Sequence, residues 1–317
     1  MSGVTAQGVT TGPGRADVKI TTPDGERIDA WLYRPDNPVR GVLVMAMGIG
    51  GVKAAGTLPP FAEHFRSKGF ASVVFDYRHW GDSSGSPRHL LLVGRQLEDY
   101  RTVLRWVRAH DELGHAPRFA WGTSFGDLHA VAAAASEPDL AGAIAQCPLV
   151  DGLATARGGL DLRRGSRLTA YAVADLLRSR LGRGPVYIPL GAPPGGLGLV
   201  PAADAQDGYD VMLPGDWPNE VTARTLLDIP RHRPATRAPH IPCPILVVVQ
   251  ENDTVAPVEP AVRVAARAPH GELFRGRGGH YDVYAGRPDH DDILRVETEF
   301  LLRTARQANG HPAPVAE

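Results

Sequence analysis

Ser124 lies at the centre of Gly122-Thr123-Ser124-Phe125-Gly126, with a short apolar run before it and an alanine-rich stretch suited to helix, Ala130 to Ala135, after it. Strand, tight turn and helix in that order put the serine on a sharp bend, and flanking glycines tolerate the close packing such a bend imposes. A hydroxyl held out there is a candidate nucleophile. The plainer reading is a strand-to-helix loop with a capping serine. Because a free hydroxyl attacks poorly at neutral pH, the chemistry also needs a base to remove its proton and an acid to hold that base.

In an open parallel sheet the site lies beyond the carboxyl ends of the strands, so those partners should follow later strands. Asp253 follows the apolar run Ile245 to Gln250, and His280 follows the next expected strand, in Gly276-Arg277-Gly278-Gly279-His280. The order Ser, Asp, His is the one expected with a serine on such an elbow. Of the twelve histidines, His64 and His129 fall on expected helices and His79 and His89 flank a turn that could line the site; the same geometry favours His280 over all of them. Asp151, after the strand ending at Cys147, and Glu251 are rivals to Asp253. Attack on a carbonyl creates an oxyanion that needs two backbone amide donors. Phe125 supplies one, and the loop Gly48-Ile49-Gly50-Gly51 supplies the other, with Ile49 as the candidate. No pair of histidines has metal-ligand spacing with a supporting carboxylate, so neither metal nor cofactor is expected.

The elements that must position these groups alternate. Ala16 to Ile20 and Ile28 to Tyr33 read as an antiparallel hairpin around Thr22-Pro23-Asp24-Gly25. Gly41 to Met47, Ala71 to Tyr77, Leu140 to Cys147 and Pro244 to Gln250 are apolar runs of strand length, as fits strands covered on both faces. Between and after them, helices are expected at Leu58 to Gly69, Leu97 to His110, Glu259 to Arg267 and Asp291 to Ala305, with a short strand near Glu272 to Arg275. This is an α/β pattern: a doubly wound, mostly parallel sheet. From Leu149 to about Pro239 the rhythm stops, and the spacing predicts an amphipathic helix at Arg167 to Leu181, irregular chain at Ile188 to Pro201 and helix near Asn219 to Leu227. Such a long interruption is usually functional. The expected division is therefore 1–149 and 240–317 as core, with 150–239 as an inserted, mostly helical lid.

The chain resembles the α/β-hydrolase superfamily, and within it the serine-hydrolase branch that groups esterases with serine aminopeptidase-like and X-prolyl-dipeptidyl-peptidase-like enzymes. The likeness rests on Met47-Gly48-Ile49-Gly50-Gly51-Val52-Lys53, Phe75-Asp76-Tyr77-Arg78 with Gly81-Asp82-Ser83, the Ser124 elbow, Glu251-Asn252-Asp253-Thr254-Val255-Ala256-Pro257 and Gly278-Gly279-His280-Tyr281. It implies a serine hydrolase for a carboxylic ester or similar acyl substrate, with an acyl-enzyme intermediate. Acyl transfer, thioester cleavage or cyclisation with the same groups, or a non-catalytic binding protein on the same fold, are the alternatives. There are two departures. Met47 stands where many relatives have histidine, and Asp127 where a small residue is common; a carboxylate in a first helical turn reads as dipole stabilisation.

At 317 residues and a formal charge of −1, with no long basic run, the chain carries no sign of nucleic acid or anionic membrane as partner. Residues 1–15 lack a basic start and apolar core, so a cytoplasmic protein is expected. Cys147 and Cys243 fall at opposite ends of adjacent strands, roughly 15 to 20 Å apart, and are expected reduced and buried. Substrate choice is expected from the lid and the turn near Trp80. Arg163, Arg164 and Arg167 could meet an anionic group, solvated arginines being the plainer reading. The lid helix could cover the pocket or bury itself in a homodimer.

Overall fold

The computed structural model describes residues 9–12, 14–157, 162–213 and 217–310. Most of the amino-terminal stretch read above as lacking a signal, and the tail from residue 311, lie outside them. Strands β1 (Val9–Gly12), β2 (Arg15–Thr21) and β3 (Arg27–Tyr33) open the chain. Then β4 (Gly41–Ala46), α1 (Leu58–Ser67), β5 (Phe70–Phe75), α2 (Val93–Ala109), β6 (Arg118–Thr123), α3 (Gly126–Ala134) and β7 (Gly142–Gln146) alternate as expected. The segment up to residue 239 holds α4 (Gly152–Arg157), α5 (Leu162–Arg180), β8 (Tyr187–Ile188), β9 (Gly191–Ala192), β10 (Val200–Pro201), α6 (Ala205–Met212), β11 (Val221–Thr222) and α7 (Thr225–Asp228). Alternation resumes with β12 (Ile245–Gln250), α8 (Val258–Arg267), β13 (Gly271–Gly276) and α9 (His290–Ala308).

Among the described residues the main sheet has nine strands in the order β1-β2-β3-β5-β4-β6-β7-β12-β13. From β5 to β13 every pairing is parallel, and β1 to β3 continue the sheet antiparallel. Every residue of β4, β5, β7 and β12 is buried, because helices cover both faces and leave no solvated side for polar residues to occupy. After β5 the chain crosses over β4 to reach β6, so the loops leaving β4 and β6 diverge and open a crevice at the carboxyl edge. Both oxyanion candidates and Ser124 stand at that edge.

The structure corrects the reading of 188–201, where Pro and Gly suggested no regular structure. β9 pairs with β10 in parallel, and β8 pairs with β11 antiparallel. Two-residue ladders leave no periodicity to read. The helix expected at 219–227 is only the single turn α7, and α6 lies where none was expected. β1 and α4 were not foreseen either. Both cysteines are free and buried.

Candidate active site

Ser124 follows β6 directly and has φ of 57°, a left-handed conformation that L residues rarely adopt. Tertiary contacts hold it there: its N–H donates to the Gln146 carbonyl at 2.8 Å, and its own carbonyl accepts from Leu149 at 3.0 Å. A Cβ on Gly126 would lie 2.4 Å from the Ala46 carbonyl oxygen, so the elbow packs on the end of β4 only because that position has no side chain. A Cβ on Gly48 would stand 2.9 Å from that of Ser124, which measures how closely the loop after β4 approaches the hydroxyl.

His280 Nε2 is 2.9 Å from Ser124 Oγ, and His280 Nδ1 is 2.7 Å from Asp253 Oδ2. The imidazole is 2% exposed. Asp253 is aimed by its own loop, because Oδ1 accepts from the amides of Val255 at 2.8 Å and Ala256 at 2.7 Å, leaving Oδ2 for the histidine. The two loops are laced together: the Gly278 amide donates to Gln250 Oε1 at 2.9 Å, and the Asn252 amide to the Gly278 carbonyl at 3.1 Å. An imidazole held this way, donating through Nδ1 and accepting through Nε2, can take a proton from the serine. The rivals are engaged elsewhere. Asp151 forms a two-pronged pair with Arg233 and caps α4, and Glu251 is exposed.

The Phe125 and Ile49 amides have no backbone acceptor among the described residues, so both are available where a donor pair is wanted. The loop carrying Ile49 is anchored at Lys53, which is buried. Its amide donates to Asp76 Oδ1 at 2.6 Å, and its ammonium lies 2.9 Å from Asp76, 2.5 Å from Asp82 and 3.2 Å from Asp29. Burial opposes that charge, yet the Asp76 carboxylate, with Asp82 and Asp29, raises its pKa above the ordinary value and keeps it ionised. Removing one partner of a buried pair strands the other. Lys53→Met is accordingly expected to cost about 3–5 kcal/mol, read as a lower midpoint in urea or thermal unfolding.

Asp127 stands in the first turn of α3, as the dipole reading has it, but not as an ionised carboxylate. It is fully buried beneath the elbow, and both carboxyl oxygens lack a hydrogen-bond partner among the described residues. Burial, then the nearby Glu297 carboxyl, drives its pKa well above the carboxylate range. Glu297 accepts from Trp121 Nε1 at 2.9 Å, and burial pushes it up to about 8. A raised folded-state value means that the proton is held more tightly folded than unfolded. Stability from this group is therefore full below its ordinary value of 4.5 and is lost as the pH rises towards 8. Glu297→Gln does not titrate, so it is expected to stabilise the fold between those limits, by an amount growing with pH, and to change little at lower pH. Unfolding midpoints across that range check it. His129, on the helix expected for it, packs under Phe125 and bonds Tyr77 Oη at 3.2 Å, and burial lowers its pKa to about 3, so it is a core histidine.

Cys147, Asp253 and His280, from three different loops, each place one ligand-type atom within 4.8 Å of the others. Burial pushes the thiol pKa up, which keeps Cys147 protonated and makes it a poor donor to a cation.

A cavity of about 370 Å³ meets this site at Ile49, Leu149 and Asp253, and Leu168, Val200 and Ile229 from the 150–239 segment form much of its wall. The segment also touches the site loops. Tyr209 Oη donates to the Ile49 carbonyl at 3.3 Å, and Thr254 Oγ1 donates to Asp204 at 2.7 Å. Nothing in the sequence marks Tyr209 or Asp204 for this position. Of the three arginines read as solvated, Arg163 and Arg167 are exposed, but Arg164 is buried, donating to the carbonyls of Gly196 and Gly198 at 2.7 Å each. Two guanidinium donors meet the carbonyls of a glycine-rich loop, and that holds the loop against α5. Trp80 is not in the cavity wall. It is buried, bonded to the Leu90 carbonyl and packed on His89, while His79 is held by the Pro87 carbonyl.

This geometry agrees with the proteins the chain is similar to. A sequence profile described as serine aminopeptidase, S33, matches residues 37–181. The quorum-quenching protein AidA of Acinetobacter baumannii is 38% identical over 90% of this chain and 94% of its own length. The polyketide transferase grgF of a Penicillium species is 28% identical over 91% of this chain and 96% of its own. The crystal structure of the α/β hydrolase GrgF superposes with a TM-score of 0.78 over 92% of this chain and 99% of that one, at 26% identity. A complex of DcsB with its substrate analogue gives 0.78 over 95% and 99%, at 22% identity, and shows the fold. With the elbow, the parallel sheet and these likenesses together, the chain belongs to the α/β-hydrolase superfamily and is an enzyme of it.

Proposed function

We propose that the enzyme cleaves a carboxylic ester or related acyl substrate through Ser124, His280 and Asp253. Ser124 Oγ attacks the acyl carbon as its proton passes to His280 Nε2. The Phe125 and Ile49 amides hold the oxyanion. The tetrahedral adduct collapses by expelling the leaving group, which takes the proton from His280, and an acyl-enzyme remains. Water, deprotonated by the same nitrogen, then releases the acid and frees the serine. Asp253 keeps the imidazole in the accepting tautomer and stabilises its charged form. The observation that carries this reading is the unbroken chain of 2.9 and 2.7 Å contacts from Ser124 through His280 to Asp253. A fluorophosphonate probe tests it: a single adduct on the peptide containing Ser124 is the expected result, and an unlabelled protein would count for a non-catalytic binding role.

The segment 150–239 is the lid in this reading, supported by its contacts to the Ile49 and Asp253 loops. Two free cysteines suit a reducing compartment, and we place the enzyme in the cytoplasm on that ground. Acyl transfer is the second reading, favoured by relatives named polyketide transferase and acyltransferase and by the burial of Ser124 to 8% exposure. Pre-acylated enzyme mixed with graded alcohol or amine separates the two. Release insensitive to added nucleophile supports hydrolysis, and saturable diversion of the acyl group supports transfer.

A further inference from the structure

Helix α5 has two apolar faces and only one of them is covered. Its inner face carries Leu168, Ala172 and the buried Asp175, whose carboxylate accepts from the amides of Val186 and Arg224 at 2.9 Å each and from the Arg224 guanidinium. Its outer face presents Leu162, Val173 and Leu177, and the stripe continues to Leu181 just past the helix end; these side chains are 94%, 42%, 52% and 68% exposed. At about 100° per residue they fall within one stripe about 100° wide. Elsewhere among the described residues, beyond Tyr171 and Tyr187 nearby, only Leu273 is a comparably exposed large apolar side chain.

Arginines rim the stripe. Arg163, Arg167, Arg178, Arg180 and Arg183 are exposed, and none has a salt-bridge partner among the described residues. Between residues 162 and 187 the only acidic residue is Asp175, which faces inward. No single basic run announces this in the sequence, because winding the chain into a helix is what gathers the spaced arginines.

We propose that the outer face of α5 docks on an anionic lipid surface. A surface helix with an apolar stripe and a basic rim lies in the interfacial plane, its leucines in the headgroup and acyl boundary and its arginines on the phosphates. No described helix is long and apolar enough to cross a membrane, which fits a helix lying on one. A second copy on a two-fold axis would set this row of arginines against itself, with no carboxylate among the described residues of the face to meet it. A nucleic acid would take the arginines and leave the stripe in water. The inner side of the same helix walls the cavity through Arg164 and Leu168, so docking brings that cavity to the lipid surface. The inference does not depend on which side chain is the nucleophile.

Cosedimentation of the full chain with vesicles tests it. Binding is expected to phosphatidylcholine–phosphatidylglycerol mixtures and not to phosphatidylcholine alone, weakening as salt rises. Arg180→Gln and Arg183→Gln should each lower the affinity about fivefold. Leu177→Glu with Leu181→Glu should lower it more than about tenfold, while Leu273→Glu leaves it unchanged; all five positions are exposed, and thermal melting checks that each variant folds. Absence of wild-type binding to the mixed vesicles overturns the proposal, as does undiminished binding by the leucine pair. A wild-type dimer that the leucine pair converts to monomer, with no vesicle binding, overturns it in favour of a second copy.

Discussion

Ser124→Ala is expected to lower kcat for ester hydrolysis about 10⁵- to 10⁶-fold, the scale seen when a nucleophile of this kind is removed. The substitution deletes one atom, Oγ, whose partner is His280 Nε2 at 2.9 Å. It keeps the Cβ, so the left-handed backbone at φ of 57° is no more strained than before, and the hydrogen bond from the residue's N–H to the Gln146 carbonyl is untouched. Stability should therefore change by less than about 1 kcal/mol. Steady-state assays with a chromogenic ester, alongside a melting curve, check both halves. A variant that melts normally and still turns over at a substantial fraction of the wild-type rate would remove Ser124 from the chemistry and leave the proposed mechanism without its first step.

Asp253→Asn should lower kcat about 10⁴-fold while leaving the geometry in place. Asparagine can keep its oxygen on the Val255 and Ala256 amides, which presents its NH₂ to His280 Nδ1 where a carboxylate oxygen had been. The ring then accepts at Nδ1 and carries its hydrogen on Nε2, facing Ser124 with a donor where an acceptor is needed. Asp151→Asn is the matched control. It weakens the pair with the exposed Arg233 at the start of α4, away from His280, so its activity should stay within a few-fold of wild type. If the Asp151 variant instead carries the large loss, the acid follows β7 and the assignment to Asp253 fails.

Much of the core was legible because parallel strands buried on both faces write themselves as unbroken apolar runs. Gly41–Ala46 and Ile245–Gln250 can be little else, and their alternation with amphipathic helices restricts the topology to a few arrangements. The positions of Ser124, Asp253 and His280 followed from that topology, since three groups that each end a strand must meet at one sheet edge. Asp127 was misread for a definable reason. Its place in a first helical turn suggests a favourable dipole, but the turn is driven into the sheet, and the same residue becomes a buried carboxyl whose proton is kept by the cost of desolvation. Arg164 was misread similarly: its sequence neighbours Arg163 and Arg167 are solvated, and only the loop carrying Gly196 and Gly198 makes it different.

Local patterns in the chain decided the strand and helix order of the core, the serine turn and the few chain positions from which its partners are drawn, because periodicity and turn chemistry act over a few residues. Which acid faces His280, what Tyr209 and Asp204 touch, whether Asp127 keeps its proton and which face of α5 remains bare were decided only by folding. Each of those depends on groups brought together from distant parts of the chain, and on the water they lose when they meet.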